Sequence, residues 1–277
     1  MENETIEQSI FKDLEIPNLS NSSKIFLVGR YAEILLRYDL GISDEKRFSL
    51  ENGRKAFEIY KNEMKFYKKQ YNKLLKLRNK CVHTQKKYIA TDEDFVRAYE
   101  SLYCLYSMIF FKFFMQHSFG SNTDILSCFS LLPPKIRYFT IQELYKLDSS
   151  NEWLIDKNVL VHIKIGDVSG AEKIVSDKSI FLKSINMYER FKDIIKNNDN
   201  NQLVLGDIDS LKHMTMYDYL MDKIKVIKDN YDPKQNPQTL QEAGTNYRFL
   251  RDSFYQKNNS ELNIFLKLMD FVYTPFN

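Results

Sequence analysis

Glycine, proline and cysteine are scarce in this chain of 277 residues. It contains 8 Gly and 6 Pro against 18 Tyr and 20 Phe. So few turn residues disfavour β-sandwiches and glycine-rich nucleotide folds, while the aromatic rings favour long packed helices. The three cysteines, Cys81, Cys104 and Cys128, form no CxxC pair, so neither a disulfide framework nor a zinc knuckle is expected. These shortages predict a mainly α protein of a reducing compartment.

The sequence also lacks the features of an export signal and of a membrane span. Its first residues, MENETIEQSIF, are acidic, whereas a secretion signal begins with basic residues and an apolar run. The most apolar stretch, residues 103–115, contains Lys112 and is shorter than the roughly 18 to 20 residues that a span needs. We interpret this stretch as a buried helix, and we expect a cytoplasmic protein with no membrane partner.

Apolar residues recur every three or four positions in the first half of the chain, which predicts three helices. The first follows the capping pair Ser22–Ser23 and ends near Gly41, and the third runs from Thr91 to about His117. The second covers about residues 53–78. Its stripe of regularly spaced residues, which ends in Arg78 and faces inward, consists of Tyr60, Met64, Tyr67, Tyr71, Leu74 and Arg78.

The second half of the chain has a less regular pattern. Residues 118–124 and the Pro133–Pro134 pair interrupt the helical pattern. They predict a helical domain over residues 1–134 and an α-rich region over residues 135–277. Two apolar runs, 158–165 and 202–205, each precede a Gly-Asp turn and predict a few short β-strands. Helices are expected over 171–197, 209–229, 240–256 and 260–273, with a linker at 231–237.

A basic and polar motif lies at the end of the second predicted helix. Arg78 and Asn79 are adjacent, and His83 comes four residues after Asn79, as R-N-x-x-x-H. With its helical surroundings over about residues 20–120, this motif resembles the HEPN superfamily, whose signature is an Arg four to six residues before a His. The resemblance implies a helical bundle, a homodimer with a composite cleft, and RNA cleavage through 2′-OH attack. A toxin or antiphage role, with an antitoxin or regulatory partner, is a further implication.

The residues themselves suit metal-independent RNA cleavage. An imidazole such as that of His83 titrates near neutral pH and can move protons, and the guanidinium of Arg78 can hold a phosphate as charge develops. Asn79 could orient either group or bind the nucleotide. No metal or other cofactor is expected. The alternative is structural: Arg78 pairs with a carboxylate or a carbonyl, and His83 is an ordinary loop histidine.

The net charge of +3 hides an uneven distribution. Residues 54–87 contain twelve basic and two acidic residues, a net charge of +10, which leaves −7 for the rest of the chain. Lys61, Lys65 and Lys68 are interpreted as a solvated face. The basic residues nearest the motif are candidates for contacting an RNA backbone. Tyr88 is a candidate for stacking on an unpaired nucleobase. The predicted RNA-binding residues are Lys73, Lys76, Lys80, Lys86, Lys87 and Tyr88.

Other polar residues carry weaker hypotheses. Tyr71 is expected to pack in the core rather than to stack on a nucleobase. His117, His162 and His213 lack ligand-like spacing, so no metal is assigned to them. Asp167 and Asp207 could be a pair of metal ligands, but Gly-Asp is a common turn. Two further functions stay open: a non-catalytic helical module that binds RNA or protein, and a dimerisation scaffold.

Overall fold

The structure, a computed structural model, describes residues 18–43, 46–82, 88–196, 208–230 and 239–274. Most of these residues are helical, which confirms the predicted mainly α fold. In chain order the helices are α1 (Asn21–Asp39), a 3₁₀ helix (Leu50–Phe57), α2 (Lys65–Val82), α3 (Asp92–Gln116), α4 (Thr123–Phe129), α5 (Pro134–Leu147), α6 (Glu152–Lys164), α7 (Val168–Asp177), α8 (Ser179–Lys183), α9 (Met187–Lys196), α10 (Ile208–His213), α11 (Met216–Asn230), α12 (Leu240–Tyr255) and α13 (Ser260–Tyr273).

Helix α3 is the buried centre of the first half, as its apolar sequence predicts. The Thr91 hydroxyl accepts a hydrogen bond from the Asp94 backbone, and the Asp94 carboxylate accepts one from the Thr91 backbone, so both ends of a capping box are made. Lys112, which interrupts the apolar run, forms an ion pair of 2.5 Å with Asp39 of α1. Among the described residues, no helix is long and apolar enough to cross a membrane.

Helices α1 and α2 pack against α3, and α2 contains most of the predicted apolar stripe. Helix α1 begins three residues earlier than predicted, at Asn21 rather than Lys24, because the Ser20 hydroxyl rather than Ser22–Ser23 caps it. It ends before Gly41, whose φ of 61° suits a residue without a side chain. The stripe prediction for α2 is confirmed in its central part. The stripe residues that are completely buried are Met64, Tyr67, Tyr71 and Leu74.

The predicted start of the second helix at residue 53 is wrong. Residues 50–57 form a 3₁₀ helix, a turn follows, and Tyr60 adopts a φ of 57° before α2 begins at Lys65. Contacts with two other helices hold this segment: the Leu50 amide donates to Glu33, and the Leu50 carbonyl accepts from the Tyr71 hydroxyl. These hydrogen bonds between distant residues replace those of a continuous α-helix, and the local pattern does not reveal them.

The predicted boundary at residue 134 does not coincide with the division seen in the structure. The chain divides into two compact units, of which unit 1 is Met1–Leu147 together with Pro237–Asn277 and unit 2 is Asp148–Asn236. Helix α5 packs on α3, where the buried Thr140 hydroxyl lies 3.3 Å from the Ser107 carbonyl. The residues that suggested a domain boundary instead mark the starts of helices, since Asn122 caps α4 and Pro134 is the first residue of α5.

The last two helices return to unit 1. Phe265 of α13 lies in a cluster of aromatic rings, with its centroid 5.5 Å from that of Phe110 and 5.0 Å from that of Phe113. The Tyr273 hydroxyl donates to the Leu131 carbonyl at 2.9 Å. Helices α12 and α13 are joined by Arg251, whose guanidinium forms two hydrogen bonds of 2.6 and 2.9 Å with Asp270. Unit 1 therefore consists of two separate parts of the chain.

The predicted strand at residues 158–165 is wrong, because this stretch forms most of α6. Asn151 caps the helix, and Val159, Val161 and Ile163 are buried on different faces of it, an alternation that also suits a buried strand. The predicted strand at 202–205 and the linker at 231–237 lie outside the described residues. The described residues contain no strand longer than one bridge, between Asn186 and Thr215.

That bridge also explains one interruption in each of two helices predicted for unit 2, the break between α8 and α9 and the break between α10 and α11. The Met187 amide donates to the Met214 carbonyl, and the Met216 amide donates to the Ile185 carbonyl. Backbone groups that would continue a helix are thus paired across two chain segments. The helix predicted over 171–197 is divided into α7, α8 and α9, and the one over 209–229 into α10 and α11. Helices α12 and α13 begin where predicted.

Candidate functional site

Arg78 lies in the last two turns of α2 with its side chain directed toward α1, as the stripe predicts. Its guanidinium is 3.8 Å from a carboxylate oxygen of Glu33 and 5.6 Å from the ring centroid of Phe26. The side chain keeps 22% of its accessible surface. Arg78 is therefore oriented by groups on α1 while part of its charge still faces solvent.

Gly29 on α1 allows this close approach of the two helices. A Cβ atom added at Gly29 would lie 2.8 Å from Cγ of Arg78, closer than carbon atoms normally approach each other. The stem of Arg78 therefore occupies the space that a side chain at position 29 would need. Glycine at position 29 therefore leaves the room that Arg78 needs to cross α1 at this point.

Asn79 is hydrogen-bonded to Arg78. Its side-chain oxygen accepts a hydrogen bond of 3.2 Å from Nη1 of Arg78. Of the two roles considered for Asn79, the structure contains the contact that the orienting role requires. Helix α2 is described as far as Val82, and His83 lies outside the described residues, as do Lys86 and Lys87. Within the described residues, the motif thus comprises Arg78 and Asn79.

The predicted RNA-binding lysines of α2 are exposed, but they do not share a face with Arg78. Since successive residues of an α-helix are about 100° apart, Lys73, Lys76 and Lys80 lie roughly 140 to 160° around the axis from Arg78. Arg78 contacts α1, whereas the three lysines line a groove beside α3. The structure separates the two sets of basic residues that the sequence placed together.

Tyr88 contacts two of the residues that line this groove, Asp94 and Lys80. Its hydroxyl donates a hydrogen bond of 2.6 Å to Asp94, and the Lys80 ammonium is 5.1 Å from its ring centroid. The hydrogen bond to Asp94 raises the pKa of the Tyr88 hydroxyl to about 12. One face of this ring already contacts a cation, so it is less suited to stacking than predicted. Tyr71 is buried against Phe57, which confirms its core role.

A hollow of about 450 Å³ lies between the start of α1 and the end of α2. Phe26, whose ring contacts Arg78, forms part of its wall. Cys81 and Val82, at the last turn of α2, form another part. The hollow provides space for a ligand beside the motif, and its walls are largely apolar.

Sequence reasoning missed the three residues of α1 that hold Arg78. Phe26, Gly29 and Glu33 are separated by three and four positions, so they share one helical face. That spacing was a usable signal, but nothing local indicates that this face meets the end of α2. The pairing depends on how the helices pack.

The hypothesis of a metal pair receives no support from Asp167. Its carboxylate caps α7 by accepting from the Gly170 amide and lies 2.7 Å from Nδ1 of His162. His162 belongs to helix α6 rather than to the strand predicted at 158–165, and it is 9% exposed. Asp207 lies outside the described residues. The part of the chain that the structure describes contains no group of three His, Cys, Asp or Glu side chains arranged to hold a metal ion.

We expect Gly29→Ala to lower the free energy of unfolding by about 1 to 3 kcal/mol, because the new methyl group and the Arg78 stem cannot both fit. In an Arg78→Ala background the same change should be neutral or stabilising, since alanine favours a helix over glycine by up to about 1 kcal/mol. Urea unfolding of the four proteins of this double-mutant cycle measures the difference. Equal effects in both backgrounds would contradict the proposed steric contact.

Comparisons of the chain with protein-family models, with curated proteins and with solved structures gave no match. The function proposed for this protein therefore rests on its site and on the resemblance of its motif.

Proposed function

We propose that this protein is a metal-independent endoribonuclease whose catalytic residues are Arg78, Asn79 and His83. The observation that supports the proposal is the environment of the Arg78 guanidinium. Its guanidinium is oriented by Asn79 and by groups on α1, yet its nearest Glu33 oxygen is 3.8 Å away, beyond normal hydrogen-bond length. A cation that is held in place without a close carboxylate bond retains donors for a phosphate.

The reaction that suits these groups is internal transfer at phosphorus. The ribose 2′-oxygen forms a bond to the adjacent phosphorus as the bond from phosphorus to the 5′-oxygen breaks. His83 takes the proton of the 2′-OH, the 5′-oxygen gains a proton from water and leaves as a hydroxyl, and Arg78 stabilises the charge on the phosphate oxygens. The products are a 2′,3′-cyclic phosphate and a 5′-OH. DNA lacks the attacking hydroxyl and should resist.

The biological setting is proposed from the resemblance to the HEPN superfamily. We infer a cytoplasmic homodimer in which Arg78 and His83 of two copies line one cleft, acting as a toxin or antiphage effector. Unit 2 is the candidate for control of activity or for binding an antitoxin or regulatory protein. Toxins of this superfamily that pair with a nucleotidyltransferase usually have the pattern R-x4-H-x-Y. Here the position of that tyrosine is occupied by Gln85, so the pattern is not present.

A specific observation favours a second candidate, the non-catalytic RNA- or protein-binding module. The exposed lysines of α2 lie on the side opposite Arg78, and Arg78 has a carboxylate within 4 Å. Both facts are compatible with a basic binding surface and a purely structural arginine. The two candidates differ in whether the protein cuts RNA.

The test is cleavage of end-labelled RNA by the purified full chain in the presence of EDTA. We expect cleavage that EDTA leaves unchanged, products that end in a cyclic phosphate, and no cleavage of a DNA oligonucleotide of the same sequence. Light scattering should give the mass of a dimer. Cleavage that stops on chelation would refute the mechanism, and RNA binding without cleavage would favour the binding module.

A further inference from the structure

A groove of about 600 Å³ lies between α2 and α3, on the side of α2 away from Arg78. Its volume is within the range of small-molecule sites, about 300 to 1,000 Å³. Its apolar surface comes from Leu77 of α2 and from the half-buried ring of Phe139 on α5. The basic residues around this surface are Lys73, Lys76, Lys80 and Arg97.

The groove also contains two carboxylates, and each has another partner. Asp94 belongs to the capping box of α3 and accepts the hydrogen bond from Tyr88. Glu100 forms an ion pair of 2.7 Å with Lys135. Arg97 pairs with Glu93 outside the groove, but this pair is well exposed and of the kind that contributes little energy. The groove is thus predominantly positive, with four cations around an apolar surface.

This groove combines an apolar surface, which includes an aromatic ring, with surrounding cations. Such a groove suits a nucleotide of single-stranded RNA better than it suits double-stranded RNA. An unpaired base can lie against Phe139 while its phosphates contact the lysines. In double-stranded RNA the base faces are stacked and are out of reach. We propose that this groove is a subsite for single-stranded RNA, in which Phe139 contacts a base and Lys73, Lys76 and Arg97 contact the backbone. The inference deepens the proposed ribonuclease function and rests on it for the identity of the ligand.

The position of the groove separates binding from chemistry. The strand would pass around α2, a cylinder of about 10 to 12 Å with side chains, to reach Arg78. Residues of the groove should therefore change the affinity and KM for RNA, whereas Arg78 should change kcat. They would position the strand without touching the reacting atoms, because the guanidinium of Arg78 contacts Asn79 and residues of α1 and lies on the other side of the helix.

The experiment is fluorescence anisotropy of a labelled single-stranded 2′-O-methyl RNA oligonucleotide, which cannot be cleaved. Substituting Lys76→Glu should weaken binding about tenfold or more and reduce the slope of log affinity against log salt. Substituting Phe139→Leu, which keeps an apolar side chain, should weaken it by about five- to 100-fold. Thermal melting verifies that each variant is folded. The matched control is Lys68→Glu, an exposed lysine of α2 outside the groove, which should change affinity by less than about threefold.

Three results would overturn the subsite. They are equal losses for Lys68→Glu and Lys76→Glu, equal affinity for double-stranded RNA, and equal affinity for a poly-glutamate peptide, which would indicate a protein ligand. The result for the nuclease is separate. If oligonucleotide binding depends on the groove but the protein cuts no RNA, the subsite is supported and the proposed catalysis is refuted. If the protein cuts RNA and KM is unaltered in both groove variants, the proposed catalysis is supported and the subsite is refuted.

Discussion

Replacing Arg78 by alanine is expected to lower kcat for RNA cleavage by about 100- to 1,000-fold, the usual effect of removing one donor that stabilises transition-state charge. KM should change much less, because ground-state binding would depend on the lysines on the other side of α2. Arg78→Lys should restore little activity, since an ammonium cannot reproduce the two-pronged contact of a guanidinium with phosphate. Single-turnover cleavage of a labelled oligonucleotide measures these rates.

Arg30→Ala is the matched control for Arg78→Ala. Arg30 lies about one turn before Glu33 on α1, with its Nε 3.9 Å from the other carboxylate oxygen, but its side chain is 49% exposed. We expect Arg30→Ala to retain near-normal kcat. Glu33→Gln should keep Arg78 present while weakening its orientation, so a smaller loss is expected. If Arg78→Ala lowers stability but leaves kcat unchanged, Arg78 is a structural residue.

Phe265→Ala is expected to lower the free energy of unfolding by about 3 to 5 kcal/mol, the typical cost of truncating a buried phenylalanine. Its ring is completely buried. It contacts Phe110, Phe113 and Phe114 of α3, with centroids 5.0 to 5.9 Å away, and Phe129 of α4 at 6.4 Å. Removing it leaves a cavity where the last helix joins the first part of the chain. Urea unfolding of the full chain measures the loss.

The neighbouring Ile264 supplies the control, since it is 49% exposed on the same helix. Ile264→Ala should cost less than about 1 kcal/mol, as is usual for surface substitutions. A chain that ends at residue 236 should likewise lose the cooperative unfolding of unit 1. If that shortened chain unfolds with the same midpoint as the full chain, α12 and α13 do not stabilise unit 1.

Helix α3 shows why some elements could be predicted closely. The cap at Thr91, the acids of the first turn and the long apolar body all act within a few residues of one another, so the sequence contains the whole signal. The same holds for the inward position of Arg78, which follows from the spacing of Tyr67, Tyr71 and Leu74. The separation of the exposed lysines from Arg78 was also predictable, because helical geometry alone places them on another face.

The wrong predictions depended on contacts between distant residues. The run at 158–165 is rich in Val and Ile and suits a buried strand as well as a buried helix, and packing selected the helix. The helix predicted over 171–197 is broken because Ile185 and Met187 pair their backbone groups with Met216 and Met214. Neither choice is visible in the neighbouring residues.

The sequence by itself determined a mainly α protein with few turns, the concentration of positive charge on residues 54–87, and a motif at the end of one helix. These features depend on composition and on residues one or two turns apart. The tertiary structure alone decided that Glu33 lies near Arg78, that the lysines form a groove with Phe139, and that α12 and α13 complete unit 1. Such pairings depend on which apolar faces fit together across the chain, and many arrangements share the same local pattern.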